Sequence, residues 1–417
     1  MQAPEPHSPV VILGAGIVGI CTALSLLEKG VPVTLIDQGD PGQETSMGNA
    51  GVVSPWSFIP QALPGIWKNI PKLMLGYGRP LSIHPRVALK MLPWAVRFLH
   101  QTHPDRVRAN AMAMSHLCGP SIELYEKHLR GTGYENLITD SMYVHAFRDA
   151  SRANLSSIDY QIRSDLGADL ELVGKDRLAE IEPALSPEFN AAILIKGQAR
   201  MRSPGKLGQV LAEKARQMGA DFRQAVIGGL RRQETGEWAI ECQGTTLMAK
   251  RIILCLGAWS PSILKKIGIS VPLMAERGYH VEFSDPGIAI NNSVMDVDAK
   301  FVASSMDGGV RIAGQAEFAP VDAPPAPRRE TQLIQVSKRA FPDLQTQKNS
   351  FWMGRRPSFP DSLPALGAVK NCPGLFVNFG HSHYGLMMAP TSGDLLSQTL
   401  CNEQSNLDQA AYSLHRF

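Results

Sequence analysis

The stretch that most constrains this chain lies close to its first residue. VVIL (10–13) is a short β-branched run suited to a buried parallel strand. GAGIVG (14–19) follows at once, and then ICTALSLLEKG (20–30), with apolar residues at helical spacing and a closing glycine. VPVTLID (31–37) reads as a second strand, which completes a βαβ unit. A GxGxxG alone is weak evidence; between a strand and a helix it marks a dinucleotide cradle. Gly14 allows the tight turn, Gly16 lets the backbone approach a pyrophosphate, and Gly19 lets the helix pack on the strand. The phosphates then meet free N–H groups at the start of the helix, around Ile17 and Val18. Asp37, 23 positions after Gly14 and followed by Gln38, is placed to accept hydrogen bonds from a ribose.

A chain of 417 residues exceeds what one hydrophobic core usually serves, so two domains are expected. The net charge of +3 is too small for a nucleic-acid binder, which carries a clustered basic face. Six cysteines without a CxxC pair argue against zinc or an iron–sulfur cluster, so no metal site is expected. No secretory leader and no apolar run of transmembrane length stands out, which fits a cytoplasmic protein.

Further along, prolines interleave with Trp67, Lys68, Lys72, Trp94 and Arg97 over 60–105, an irregular excursion from the first domain. The pattern predicts helices near 107–130, 150–166, 174–185, 206–220 and 390–402. It predicts strands at 142–148, 170–173, 238–242, 245–257, 277–284, 310–314 and 375–380. The motif sits almost at the N-terminus, no second copy occurs, and Gly257 closes a late apolar strand where backbone again approaches a dinucleotide. These features favour FAD, bound non-covalently, over NAD.

Seven landmarks resemble the D-amino-acid oxidase superfamily, most closely the FAD-bearing subunit of bacterial D-amino-acid dehydrogenases. They are residues 14–19, 46–55, 178–185, 253–260, 277–283, 351–367 and 376–390, spread over nearly the whole chain. The resemblance implies an α/β (α+β) fold, with a Rossmann-like FAD domain discontinuous in sequence (1–58, 190–272, 347–417). A mixed or antiparallel sheet forms a substrate domain (59–189, 273–346). It also implies that Ser46, Gly48, Asn49, Ala50 and Gly51 pass along the flavin ring. Gly380, His383, Gly385 and Leu386 face the ring's pyrimidine side, and Val226 and Gly257 complete the cofactor contacts.

By the same resemblance Arg356, in Gly354-Arg355-Arg356-Pro357, binds a substrate carboxylate with its planar fork. A structural ion pair is the other reading of Arg356, and Arg355 is its rival. Tyr279 either serves the carboxylate or packs. Ser382, His383 and Tyr384 stand where related chains carry small or apolar residues. They point to a substrate with an extra polar group, such as a hydroxylated D-proline. The chemistry implied is hydride transfer from Cα to flavin N5, with His383 or His280 as optional proton acceptors. Electrons would pass to a respiratory quinone or an electron-transfer subunit. The 60–103 segment would then be a peripheral membrane contact, a partner surface, or ordinary core and loop. A glycine or sarcosine oxidase using oxygen, or a non-catalytic FAD-holding subunit, are the alternatives.

Overall fold

Val10–Leu13 lies inside a six-stranded sheet, paired in parallel with Val33–Asp37 on one side and Arg251–Leu254 on the other. Asp221–Gln224 extends the sheet beyond Val33–Asp37; Leu375–Phe379 and the antiparallel edge Ala365–Ala368 extend it beyond Arg251–Leu254. This is a computed structural model, and it describes residues 8–404 and 407–417. The helix Ile17–Glu28 follows the first strand and buries Ile20, Cys21, Ala23, Leu24 and Leu26 completely. Each large aliphatic side chain among them contributes about 1.5–3 kcal/mol relative to exposure. The helix packs against Gly385–Leu400 and Pro204–Gln217, so segments far apart in sequence close one core.

A ten-stranded mixed sheet forms the second layer, with Asn349–Ser358, Met274–Phe283, Gly309–Phe318 and Phe301–Met306 as an antiparallel run at one end. The fold is therefore mixed α/β, with a Rossmann-like sheet assembled from distant segments beside a mixed sheet, as the resemblance implies. By strand pairing, Ala191–Met201 and Asn349–Ser358 belong to the ten-stranded sheet, although the expected boundaries group them with the nucleotide-binding segments.

Several elements differ from expectation for local reasons. The run 245–257 is two strands: Thr245–Ala249 is a largely exposed hairpin arm paired with Trp238–Cys242, whereas Arg251–Leu254 is buried in the six-stranded sheet. Alternating exposure and continuous burial meet at Lys250, where the chain changes sheets. The helical stretch 107–130 divides into Pro104–Cys118 and Ser121–Leu129 at Gly119-Pro120. The 150–166 segment is helical only over Ile158–Asp165 and in the short turn Ala150–Arg152. The Asn154 side chain accepts from Ser156 N–H between them and competes with helix.

The late helix begins at Gly385, not at Pro390. Proline lacks the N–H that would bond the Leu386 carbonyl four residues back. The Tyr125 hydroxyl donates to that carbonyl instead, at 2.7 Å, so the helix continues through the proline. The 60–105 excursion holds two helices, Ile66–Leu75 and Pro85–His100. Trp94, read above as either interface or ordinary core, is buried, and its indole N–H donates to the Ser358 carbonyl at 3.1 Å.

Candidate active site

The first strand ends at Gly14, whose φ of +105° suits glycine; a Cβ there would lie 2.5 Å from the Cys255 carbonyl oxygen. Gly19 packs as expected, since a Cβ would meet the Gly14 carbonyl oxygen. The N-cap Gly16 gives the helix Ile17–Glu28 no capping side chain of its own, and its first turn holds no acid. Ile17 N–H donates to Ser46 Oγ at 3.0 Å, which ties this turn to the 46–51 segment. Asp37 closes the second strand and is anchored by Ala15 N–H at 2.7 Å and Gly39 N–H at 3.0 Å.

A second helix start faces the same space. Gly385–Leu400 also lacks a capping side chain and an acid in its first turn, and residues 380–387 line the cavity. Two positive helix ends therefore look into one cavity of about 900 Å³. Gly14, Gly16, Ile17, Val18, Asp37 and Gln38 line one part of it, and Val226 and Gly257 lie along it. Ser46, Gly48, Asn49 and Ala50 also line it; Gly51 and Gly19 do not, and they act through the backbone behind it.

The 46–51 segment is clamped from the ten-stranded sheet. Arg311 Nη1 donates to the Met47 and Asn49 carbonyls at 2.9 and 2.8 Å, and the Glu282 carboxylate pairs with the same guanidinium at 2.6 Å. His280 Nδ1 donates to the Gly48 carbonyl at 3.1 Å. Burial, assisted by Arg311, pushes the His280 pKa down to about 3. His280 is absent from the cavity lining, so it supports the segment rather than accepting a proton from a ligand. Trp352 fills the space over Gly48 and stacks on the His280 ring at 4.9 Å; a Gly48 Cβ would lie 1.9 Å from that indole.

At the other end, Arg356 and Glu276 stand opposite one another on paired strands. Arg356 Nη1 donates to Glu276 Oε1 at 2.8 Å and to the Gln315 carbonyl at 2.8 Å. Nη2 donates to the Gly314 carbonyl at 3.5 Å, and no acidic side chain among the described residues takes the Nε–Nη2 edge. The guanidinium lies across Gly278, where a Cβ would sit 2.1 Å from Nη2. Glu276 is buried and also accepts from Ser358 Oγ at 3.1 Å and Gln61 Nε2 at 3.3 Å. Burial alone would raise its carboxyl, but Arg356 and then His383 outweigh that and hold it below the usual range.

His383 Nδ1 lies 2.7 Å from Gln61 Nε2. Burial takes the His383 pKa down to about 4, opposed by Glu276 and helped by Arg356. The Tyr384 hydroxyl donates to the Ile59 carbonyl at 2.6 Å, and burial raises that phenol strongly. Tyr279 lines the cavity, but its hydroxyl is bonded to the Glu317 carboxylate and its ring stacks on Phe351. Arg355 donates to the Val321 carbonyl at 2.7 Å. Of the two arginines, Arg356 is the one joined to the Glu276–Gln61–His383 cluster.

Comparison with known proteins identifies the family. The family model described as "DAO: FAD dependent oxidoreductase" matches residues 9–399. The chain belongs to that family. It is 33% identical over 416 residues to a protein of Bradyrhizobium diazoefficiens named D-amino-acid oxidase, covering 98% of each chain. It is 30% identical to a D-amino acid dehydrogenase of Rhizobium rhizogenes, covering 98% of this chain and 99% of that one. Among solved structures, glycine oxidase from Geobacillus kaustophilus shares the fold with a TM-score of 0.76 at 20% identity, covering 99% of this chain and 100% of that one.

FAD is accordingly the cofactor of this family member, and its residues suit one. The helix start with no acid in its first turn, the close-approach glycine at 14 and the anchored Asp37 answer to a dinucleotide. Glu276, Gln61, Arg311 and Trp352 were not singled out from sequence. Trp352 lies within the 351–367 landmark and Glu276 directly precedes 277–283, which is the signal that was available. No helix among the described residues is long and apolar enough to cross a membrane.

Proposed function

We propose that this protein oxidises the carbon–nitrogen bond of a small D-amino acid, of the proline or hydroxyproline type. The observation that carries the reading is Arg356, lining the FAD-family cavity with its Nε–Nη2 edge free of acidic partners. That edge presents two parallel donors to a substrate carboxylate. Bound FAD supplies the redox chemistry, taking up the hydride as the C–N bond becomes C=N. Arg356 fixes the carboxylate, and with it the position of Cα. Glu276 keeps the guanidinium in place from behind. Gly14, Gly16, Ile17, Val18, Asp37 and Gln38 hold the adenine–ribose–phosphate half of the cofactor; Ser46, Gly48, Asn49, Ala50, Gly380, Gly385 and Leu386 hold the ring half.

The proposed division of labour follows the two sheets, with the six-stranded sheet carrying the cofactor and the ten-stranded one the substrate. Among the described residues the site offers no strong base: Glu276 is engaged by three donors, and burial lowers the His383 pKa to about 4. The substrate amine therefore enters already deprotonated. Anaerobic reduction of the bound flavin by D-amino acids tests the reading, and a flavin that no amino acid reduces overturns it.

For the electron acceptor, the helices Ile66–Leu75 and Pro85–His100 support a lipid-soluble quinone received at the inner face of the membrane. The cavity has an apolar arm between them, lined by Ile66, Ile70, Leu73, Met91, Phe98 and Leu99. Outside it, Trp67, Leu75, Leu89 and Val96 are 56%, 76%, 80% and 67% exposed. Six cations and no acid occur between Glu44 and Asp105, which suits an anionic surface. The first relative named above is called an oxidase, which favours a second reading with oxygen as acceptor. Fast reoxidation of the reduced protein in air supports oxygen; slow reoxidation with rapid quinone turnover supports the first.

A further inference from the structure

The place of one proton in this site follows from the hydrogen-bond pattern. Gln61 Nε2 lies 3.3 Å from Glu276 Oε2 and 2.7 Å from His383 Nδ1. A carboxylate only accepts, and it is here the ionised partner of Arg356. The Gln61 atom facing it must then be the NH₂ group, because the flipped amide would set oxygen against oxygen. One amide hydrogen goes to Glu276 and the other to His383. His383 Nδ1 therefore holds a lone pair, and the ring proton is on Nε2.

His383 Nε2 has no hydrogen-bond partner among the described residues, and the ring lines the cavity. The charged groups facing the ring are Glu276 from Met274–Phe283 and Arg356 from Asn349–Ser358, while the Tyr384 ring lies tilted beside it, 4.0 Å between centroids. The two charges oppose one another, and burial decides for the neutral ring.

We propose that Gln61 is a positioning residue that locks His383 as the neutral Nε2–H tautomer, so that His383 gives the substrate a hydrogen-bond donor and not a base. The carboxylate belongs to Arg356, so the group His383 reads is a second acceptor oxygen, the hydroxyl of a hydroxylated amino acid. The choice of ligand rests on the function proposed above; the tautomer does not.

The test is ¹⁵N NMR of the histidine-labelled, FAD-bound protein, with the His383 signal assigned by His383→Asn. The expected signal is a neutral Nε2–H ring from about pH 5 to pH 8. Gln61→Glu is expected to bring His383 to titrate in that window, because a carboxylate beside the ring favours its charged form. Gln61→Met is expected to mix the tautomers. In turnover, Gln61→Met should raise KM for hydroxy-D-proline about tenfold more than for D-proline, with kcat kept. A His383 that carries its proton on Nδ1, titrates near its ordinary value in the parent protein, or ignores both substitutions overturns the proposal. So does a Gln61→Met variant that loses kcat with KM unchanged. The expected NMR result beside a flavin that no amino acid reduces supports the tautomer and overturns the functional reading.

Discussion

Arg356 donates to Glu276 across two paired strands at 2.8 Å, with the carboxylate almost wholly buried and the arginine lining the cavity. In the proposed function, the pair explains why a site that takes a substrate carboxylate contains a carboxylate already. On that proposal, Glu276 sets the orientation of the fork that receives the substrate carboxylate.

Removing the guanidinium therefore does two things, and they can be separated. Arg356→Ala should raise KM roughly 100-fold, the loss of a charge-assisted bond of about 2–3 kcal/mol, with FAD still bound. It should also lower stability by about 3–5 kcal/mol, because Glu276 is left buried without its counter-charge. The double variant Arg356→Met with Glu276→Gln should recover much of that stability and none of the substrate affinity. Urea unfolding and steady-state kinetics on the three proteins check this.

Gly278→Ala tests the same site without touching a polar group. Its Cβ would fall 2.1–2.7 Å from Arg356 Nη2, Cζ and Nε, so the guanidinium has to move. The expected result is a raised KM with the flavin spectrum and content unchanged. Unchanged kinetics would remove Arg356 from substrate binding.

At the other end of the cavity, Gly16→Ala leaves a Cβ at 3.4 Å from Ser46 Oγ, an ordinary contact, whereas Gly16→Val brings branched atoms into the phosphate turn. Both proteins should stay folded, the alanine protein holding FAD more weakly than the parent and the valine protein losing it. Absorbance and circular dichroism together decide it.

Much of this was legible in sequence because it is local. The first βαβ unit announces itself through three glycines between a strand and a helix, and the structure builds it there. Pro390 misled because its cost is removed by Tyr125, a residue 265 positions earlier, and no local pattern records that. The run 245–257 misled because two sheets meet within it. Glu276 and Gln61 carry no motif of their own: one of two acids on a strand and an amide in a proline-rich loop acquire meaning only when pairing brings them to Arg356 and His383.

Acid should weaken the fold through its buried histidines. Burial depresses His280 and His381 to about 3 and His383 to about 4, from an ordinary value of 6.5. Below about pH 6.5 the unfolded chain binds protons that the native one refuses, so stability falls as pH falls towards those values. Above that pH these three groups add no slope. Each contributes up to about 1.4 kcal/mol per pH unit within the window, read from urea midpoints across the range.

The cationic, apolar face of Ile66–Leu75 and Pro85–His100 should float with vesicles of anionic lipid and not with zwitterionic ones. The double variant Trp67→Glu with Leu89→Glu should abolish flotation while leaving flavin reduction by substrate unchanged.

The most direct measurement is an anaerobic absorbance spectrum of the purified protein, taken before and after adding D- and L-amino acids, prolines and hydroxyprolines in turn. The account predicts an oxidised flavin spectrum that bleaches with D-prolines and hydroxy-D-prolines and persists with their L-enantiomers. A flavin spectrum that no amino acid bleaches would contradict it.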